Sequence, residues 1–155
     1  MNTYENLLDT AANAGVNVID YPFDSSRIKG LYCDGTVALN DDLATSKEKV
    51  CVLAEELGHF HTSSGDIINL KSEDNMKQEY RARLWGYDNR IGLCGIISAY
   101  KANCRNAHEM AEYLDVTEEF LKDALECYHQ KYGICKKVDN YVIYFKPALA
   151  VLELR

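Results

Sequence analysis

The run from Thr45 to His59 constrains this chain most, because it reads as one capped helix with a dry stripe on one side and a group of ionisable residues on another. Thr45 followed three residues later by Glu48 is a capping-box signature, and Val50, Leu53, Ala54 and Leu57 recur at the spacing of one buried helical face. Into the second half of that helix the sequence places Glu55, Glu56 and His59. Residues four apart on a helix lie one above the other, so Glu55 and His59 share a side. Gly58 stands among them, and glycine inside a helix costs roughly 1 kcal/mol relative to alanine; its presence signals that a metal or a second backbone comes close.

In the H-E-x-x-H pattern, two histidines one helical turn apart grip a metal while the intervening glutamate acts on its water. Here Glu55 holds the first ligand position, His59 the second and Glu56 that of the base. The same spacing fits a solvated helix face, where glutamates are common and a histidine has no special task. A second segment, from about Asn75 to Tyr87, again reads as helical, with Met76, Tyr80, Leu84 and Trp85 as its apolar positions. On it, Glu79 is either a further ligand or the i,i+4 partner of Arg83, a pairing worth ~0.3 kcal/mol on an exposed helix.

From Glu55 through Tyr87 the chain resembles the ImmA/IrrE family of metallo-endopeptidases, in the branch encoded by phages and mobile elements of Gram-positive bacteria. The resemblance rests on Leu53-Ala54-Glu55-Glu56-Leu57-Gly58-His59, on Thr62-Ser63-Ser64-Gly65-Asp66, and on Lys77-Gln78-Glu79-Tyr80-Arg81-Ala82-Arg83-Leu84-Trp85-Gly86-Tyr87. Glu109 to Thr117 and Tyr141 to Phe145 also look like that branch. The resemblance implies a zincin-like α+β fold, a small antiparallel sheet packed on an active-site helix with further helices. It implies a metal held by Glu55, His59 and Glu79, with Glu56 as the catalytic base. It also implies a protein substrate, a helix-turn-helix repressor whose cleavage releases phage or mobile-element genes.

Glu55 departs from the family pattern, and the departure has a physical consequence. Two imidazoles and one carboxylate leave a zinc ion with a net charge of +1, whereas one imidazole and two carboxylates leave it formally neutral. A less positive ion activates water less, so hydrolysis at neutral pH is expected to be slower. Oxygen ligands also shift preference somewhat toward manganese or iron, while one imidazole with carboxylates still suits zinc, the expected metal. The expected outcomes are an enzyme of modest rate, an enzyme using another metal, or a catalytically inactive protein that acts by binding a repressor or host protein.

His61 lies two residues from His59 and points elsewhere on a continuing helix, entering the metal's reach only if the helix ends near residue 60. The metzincin pattern requires glycine three residues after the second histidine and a further histidine three beyond, which Thr62 and Gly65 do not supply. His108, Tyr80 and Arg83 are all candidates for stabilising an oxyanion, and the sequence does not choose among them.

At 155 residues, with 47% hydrophobic and 26% charged residues, the chain suits one domain, 1–155, with one core. No apolar run reaches membrane length, and Met1-Asn2-Thr3-Tyr4-Glu5 lacks the basic start of a signal peptide, so a cytoplasmic protein without membrane contact is expected. Cysteines 33, 51, 94, 104, 127 and 135 form no C-x-x-C pair and are expected to be reduced thiols, Cys51 as a small core residue.

Thr3 is placed to cap a first helix that ends at Gly15, a strand follows through Val16, Val18 and Tyr21, and Asp34-Gly35 marks a hairpin. Beyond it, helices are expected at about Arg90 to Ala102, Ala107 to Tyr113 and Thr117 to Tyr132, then a strand from Tyr141 to Phe145 and a tail, Leu149 to Leu152, that packs back or meets a partner. The segment Met110 to Leu121 has the outline of a helix-turn-helix DNA reader. Charge argues against that role: between Asn106 and Gln130 stand seven acidic side chains and one lysine, and the chain carries a net charge of −7.

Overall fold

A computed structural model describes residues 2–63 and 72–155. Ser64, Gly65 and Asp66, which belong to the resemblance and to the metzincin comparison, lie outside the described residues. Two compact units result, Met1–Asn89 and Arg90–Arg155.

The first unit begins with α1 (Thr3–Asn13), capped by Asn2 rather than Thr3: the Asn2 side chain accepts from Glu5 N–H and the Glu5 carboxylate reaches back to Asn2 N–H. Asparagine one residue earlier supplies the same oxygen, and Thr3 becomes the first helical residue. Gly15 leaves the helix at φ +84°. Strands β1 (Asn17–Tyr21), β2 (Gly30–Cys33) and β3 (Thr36–Asn40) form a sheet in the order β1-β3-β2.

That sheet is mixed, not antiparallel as expected: β2 and β3 form an antiparallel hairpin, while β1 pairs in parallel with β3. The 22–29 connection carries the chain past a strand's width before β2, and the hairpin then returns β3 into the gap, running the same way as β1. Asp34 and Gly35, at φ +46° and +80°, make the turn that asparagine, aspartate and glycine favour. Buried Asn40 ties down the connection, donating from Nδ2 to the Ile28 carbonyl at 2.8 Å and the Ser25 carbonyl at 3.3 Å, and accepting at Oδ1 from Asp42 N–H at 3.2 Å.

Helix α2 (Ser46–Thr62) starts where the sequence places it, with Thr45 Oγ1 accepting from Glu48 N–H; the Glu48 carboxylate takes Ala44 N–H instead of closing the box on Thr45. Val50, Leu53, Ala54 and Leu57 are fully buried and, with Leu7, Ala11, Val37 and Leu39, form the core between α1, α2 and one sheet face. Burial of each valine and leucine among them stabilises the fold by ~1.5–3 kcal/mol. Helix α3 (Ser72–Arg90) is longer than expected, and its buried positions are Ala82, Gly86 and Tyr87, not Met76 and Tyr80, which are exposed.

The second unit holds α4 (Gly92–Lys101), α5 (Ala107–Leu114) and α6 (Glu118–Tyr132), followed by an antiparallel sheet, β4 (Cys135–Val138), β5 (Tyr141–Tyr144) and β6 (Ala150–Glu153), in that order. Thr117 caps α6 and Gly133 ends it at φ +87°. The tail packs back as β6 along β5, and β4, hidden in sequence because Cys135-Lys136-Lys137-Val138 does not alternate, is formed by the hairpin through Asp139 and Asn140. Tyr128, fully buried with its ring 6.2 Å from that of Phe145, accepts at its hydroxyl from Gly92 N–H at 3.2 Å, satisfying a donor at the uncapped start of α4. All six cysteines are free, Cys51 buried, and among the described residues no helix is long and apolar enough to cross a membrane.

Candidate metal centre

Helices α2 and α3 meet backbone to backbone. A Cβ added to Gly58 would lie 2.0 Å from the Ala82 carbonyl oxygen, and one added to Gly86 would lie 3.1 Å from the Ala54 carbonyl oxygen. The second backbone signalled by Gly58 is therefore α3. Ala54 and Gly58 on one helix, facing Ala82 and Gly86 on the other, are two pairs of small residues at i,i+4, a spacing that stands in the sequence and could have docked the helices. Small residues let the helix axes approach closely.

That approach brings the longer side chains beside it into reach. His59 Nε2 lies 3.1 Å from Glu79 Oε2, and Glu79 Oε1 accepts from Arg83 Nε at 3.1 Å. The i,i+4 pairing with Arg83 that the sequence offers is thus formed, and Glu79 also meets the histidine across the helix pair. Glu55 stands one turn before His59 on α2 and interacts electrostatically with Glu56 and Arg83.

Glu56 lies under β2. Gly30 makes room for it, since a Cβ there would fall 2.6 Å from Val52 Cγ1 and 3.3 Å from Glu56 Cγ. Burial pushes the Glu56 carboxyl up from its ordinary 4.5 to about 7, the charges of Glu55 and Glu79 push the same way, and a hydrogen bond from the Tyr32 backbone opposes them. A carboxyl balanced near neutrality, beside other carboxylates, is suited to accept and return a proton.

On α2, which continues to Thr62, His61 stacks on Trp85 of α3, centroids 4.5 Å apart. Phe60 bridges this pair to Tyr32, at 4.9 Å from His61 and 6.0 Å from Tyr32. In the second unit, His108 Nδ1 lies 2.8 Å from the Glu118 carboxylate.

The donor types suit zinc, and the 3.1 Å between His59 Nε2 and Glu79 Oε2 is close to the ~3.3 Å that separates two ligands of a tetrahedral zinc ion at ordinary bond lengths. The charges of Glu55 and Glu79, which add to burial in raising the pKa of Glu56, are also a repulsion that a cation relieves. Among the described residues no three such donors close into a metal-sized group; the converging pair is His59 and Glu79, with Glu55 beside it. The chemistry and separation of the pair fit two ligands of such an ion, and a complete site would need a third donor.

No curated protein and no solved structure gave a significant match to the chain. Residues 11–126, from within α1 to within α6, match Peptidase_M78, the IrrE N-terminal-like domain. Membership implies a zincin-like fold and a metallopeptidase that hydrolyses protein. With most of its length matched, the chain belongs to the IrrE N-terminal-like domain family of metallopeptidases.

Proposed function

We propose that residues 1–155 act as one metal-dependent endopeptidase domain in the cytoplasm. Glu55, His59 and Glu79 would hold the ion, zinc by donor type with manganese or iron as substitutes, and Glu56 serves as general base. When bound, the ion supplies a Lewis acid for the scissile carbonyl and activates the attacking water. Glu56 takes the proton at its carboxylate and returns it to the leaving amine, a role suited to a pKa of about 7. The observation that carries this reading is the His59–Glu79 contact across two helices, with a raised glutamate one turn away. Among the described residues β2 pairs only with β3, so its outer edge, above Glu56, is available to an extended peptide by strand addition.

The substrate in this proposal is a helix-turn-helix repressor of a phage or mobile element, and cleavage makes the protein an antirepressor. A net charge of −7 attracts the basic surface of a DNA-binding partner, an attraction that weakens with salt. A second reading is favoured by Glu55 in the first ligand position: an inactive relative that neutralises the repressor by binding it. Incubation of the metal-loaded protein with a helix-turn-helix repressor encoded beside it, alongside Glu56→Gln, separates the two. An enzyme yields fragments by mass spectrometry and loses them in the variant while keeping about one metal per chain. A binding protein yields intact repressor in complex with both forms.

A further inference from the structure

Glu79 divides its oxygens, Oε2 toward His59 Nε2 and Oε1 toward Arg83 Nε, each at 3.1 Å. A carboxylate held at one oxygen presents the other in a defined direction, which is how partners outside the ligand set orient metal ligands. Arg83 is more than half exposed, so it is not kept for packing. An ordinary i,i+4 ion pair would stay within one helix, whereas the guanidinium also feels Glu55, on α2. Glu55 in place of a neutral histidine adds one negative charge to the site, and a guanidinium, which never titrates in the working range, offsets it.

We propose that Arg83 is a positioning residue for the metal centre: it aims Glu79 at the ion shared with His59 and provides the counter-charge that lets Glu55 occupy a histidine's place. The proposal rests on the metal-site reading above. A compact ammonium keeps the charge but not the planar fork, so lysine replaces Arg83 only in part, and glutamine replaces neither property.

The test uses the full chain and zinc ion alone. Zinc affinity is measured by competition with a chromophoric chelator for wild type, Arg83→Lys and Arg83→Gln, at fixed pH and salt. Metal-free melting temperatures are measured for wild type, Arg83→Gln, Glu55→Gln and the double variant. Arg83→Gln is expected to weaken zinc about tenfold or more, the range usual for loss of a partner that orients a ligand, with Arg83→Lys intermediate. In the metal-free melts, Arg83→Gln is expected to lower the melting temperature more in the wild-type background, where Glu55 carries its charge, than in the Glu55→Gln background, where that charge is gone. Unchanged zinc affinity would reduce Arg83 to a surface ion pair, and tighter zinc in Arg83→Gln would make it only a repelling charge; either overturns the positioning role. Wild type that takes up no zinc would sink the metal-site reading instead. The melts then decide on Arg83 alone, coupling to Glu55 upholding the counter-charge and additivity overturning it.

Discussion

Replacing Gly58 with alanine tests whether the closeness of α2 and α3 builds the site. The new Cβ would lie 2.0 Å from the Ala82 carbonyl oxygen and 2.8 Å from its carbonyl carbon, well short of the 3.4 Å at which ordinary contact begins. Both neighbours are backbone, so no rotamer change relieves the clash and one helix must shift by ~1 Å or more, in the range where overpacking costs ~1–3 kcal/mol or beyond. Alanine returns roughly 1 kcal/mol of helix propensity, which does not offset a displacement of a whole helix. Gly86→Ala is the internal control: its Cβ would lie 3.1 to 3.3 Å from Ala54 and Glu55 backbone atoms, a few tenths of an ångström too close, and the propensity gain nearly cancels the strain. Thermal melts in chelator should place Gly58→Ala about 2 kcal/mol below wild type, a drop of ~4–8 °C for a chain of this size, and Gly86→Ala within about 1 kcal/mol of it. Zinc binding should weaken in Gly58→Ala, because His59 and Glu79 move apart with the helices. Equal melting temperatures for the two variants, or a stabilised Gly58→Ala, would refute the close approach and with it the account of how the pair is brought together.

The raised Glu56 carboxyl makes metal-free stability depend on pH. A group held at about 7 when folded and at 4.5 when unfolded stabilises the fold fully below 4.5 and ceases to do so as pH rises through about 7, an effect of up to ~3 kcal/mol. Chelator-treated wild type should therefore lose stability between about pH 5 and about pH 8, Glu56→Gln should lose less, and parallel curves would remove Glu56 as the cause. Asn40→Ala should destabilise the protein by ~2–3 kcal/mol in urea titration, because the Ile28 and Ser25 carbonyls lose their donor beneath the 22–29 connection; a change below ~0.5 kcal/mol would show that the connection holds without it. Elemental analysis of protein purified without chelator should find about one metal per chain, lost in the Glu55→Ala, His59→Ala double variant; equal metal in both would place the ion elsewhere.

Much of the fold was legible because its signals are local. The cap at Thr45, the buried stripe of α2, the Asp34-Gly35 hairpin and the glycine stops at 15 and 133 each depend on residues a few positions apart. Strand β4 was not legible, since Lys136 and Lys137 break alternation and its pairing comes from β5. The face by which α3 packs was not legible for a related reason. Large apolar side chains mark a burial face when helices pack through them, but α3 packs through Ala82 and Gly86, leaving Met76 and Tyr80 outside.

The sequence by itself determined which groups are available: a helix bearing Glu55, Glu56 and His59, a second bearing Glu79 and Arg83, and a net charge of −7. Spacing along one helix sets which side chains share a face, because helical geometry repeats every few residues. Tertiary structure alone decided that β1 runs parallel to β3, that Glu79 answers to His59 and Arg83 together, and that Glu56 sits near neutrality. Those outcomes depend on separations of a few ångströms between segments distant in the chain. Coulombic, desolvation and hydrogen-bond energies vary steeply over such distances, and no local pattern encodes them.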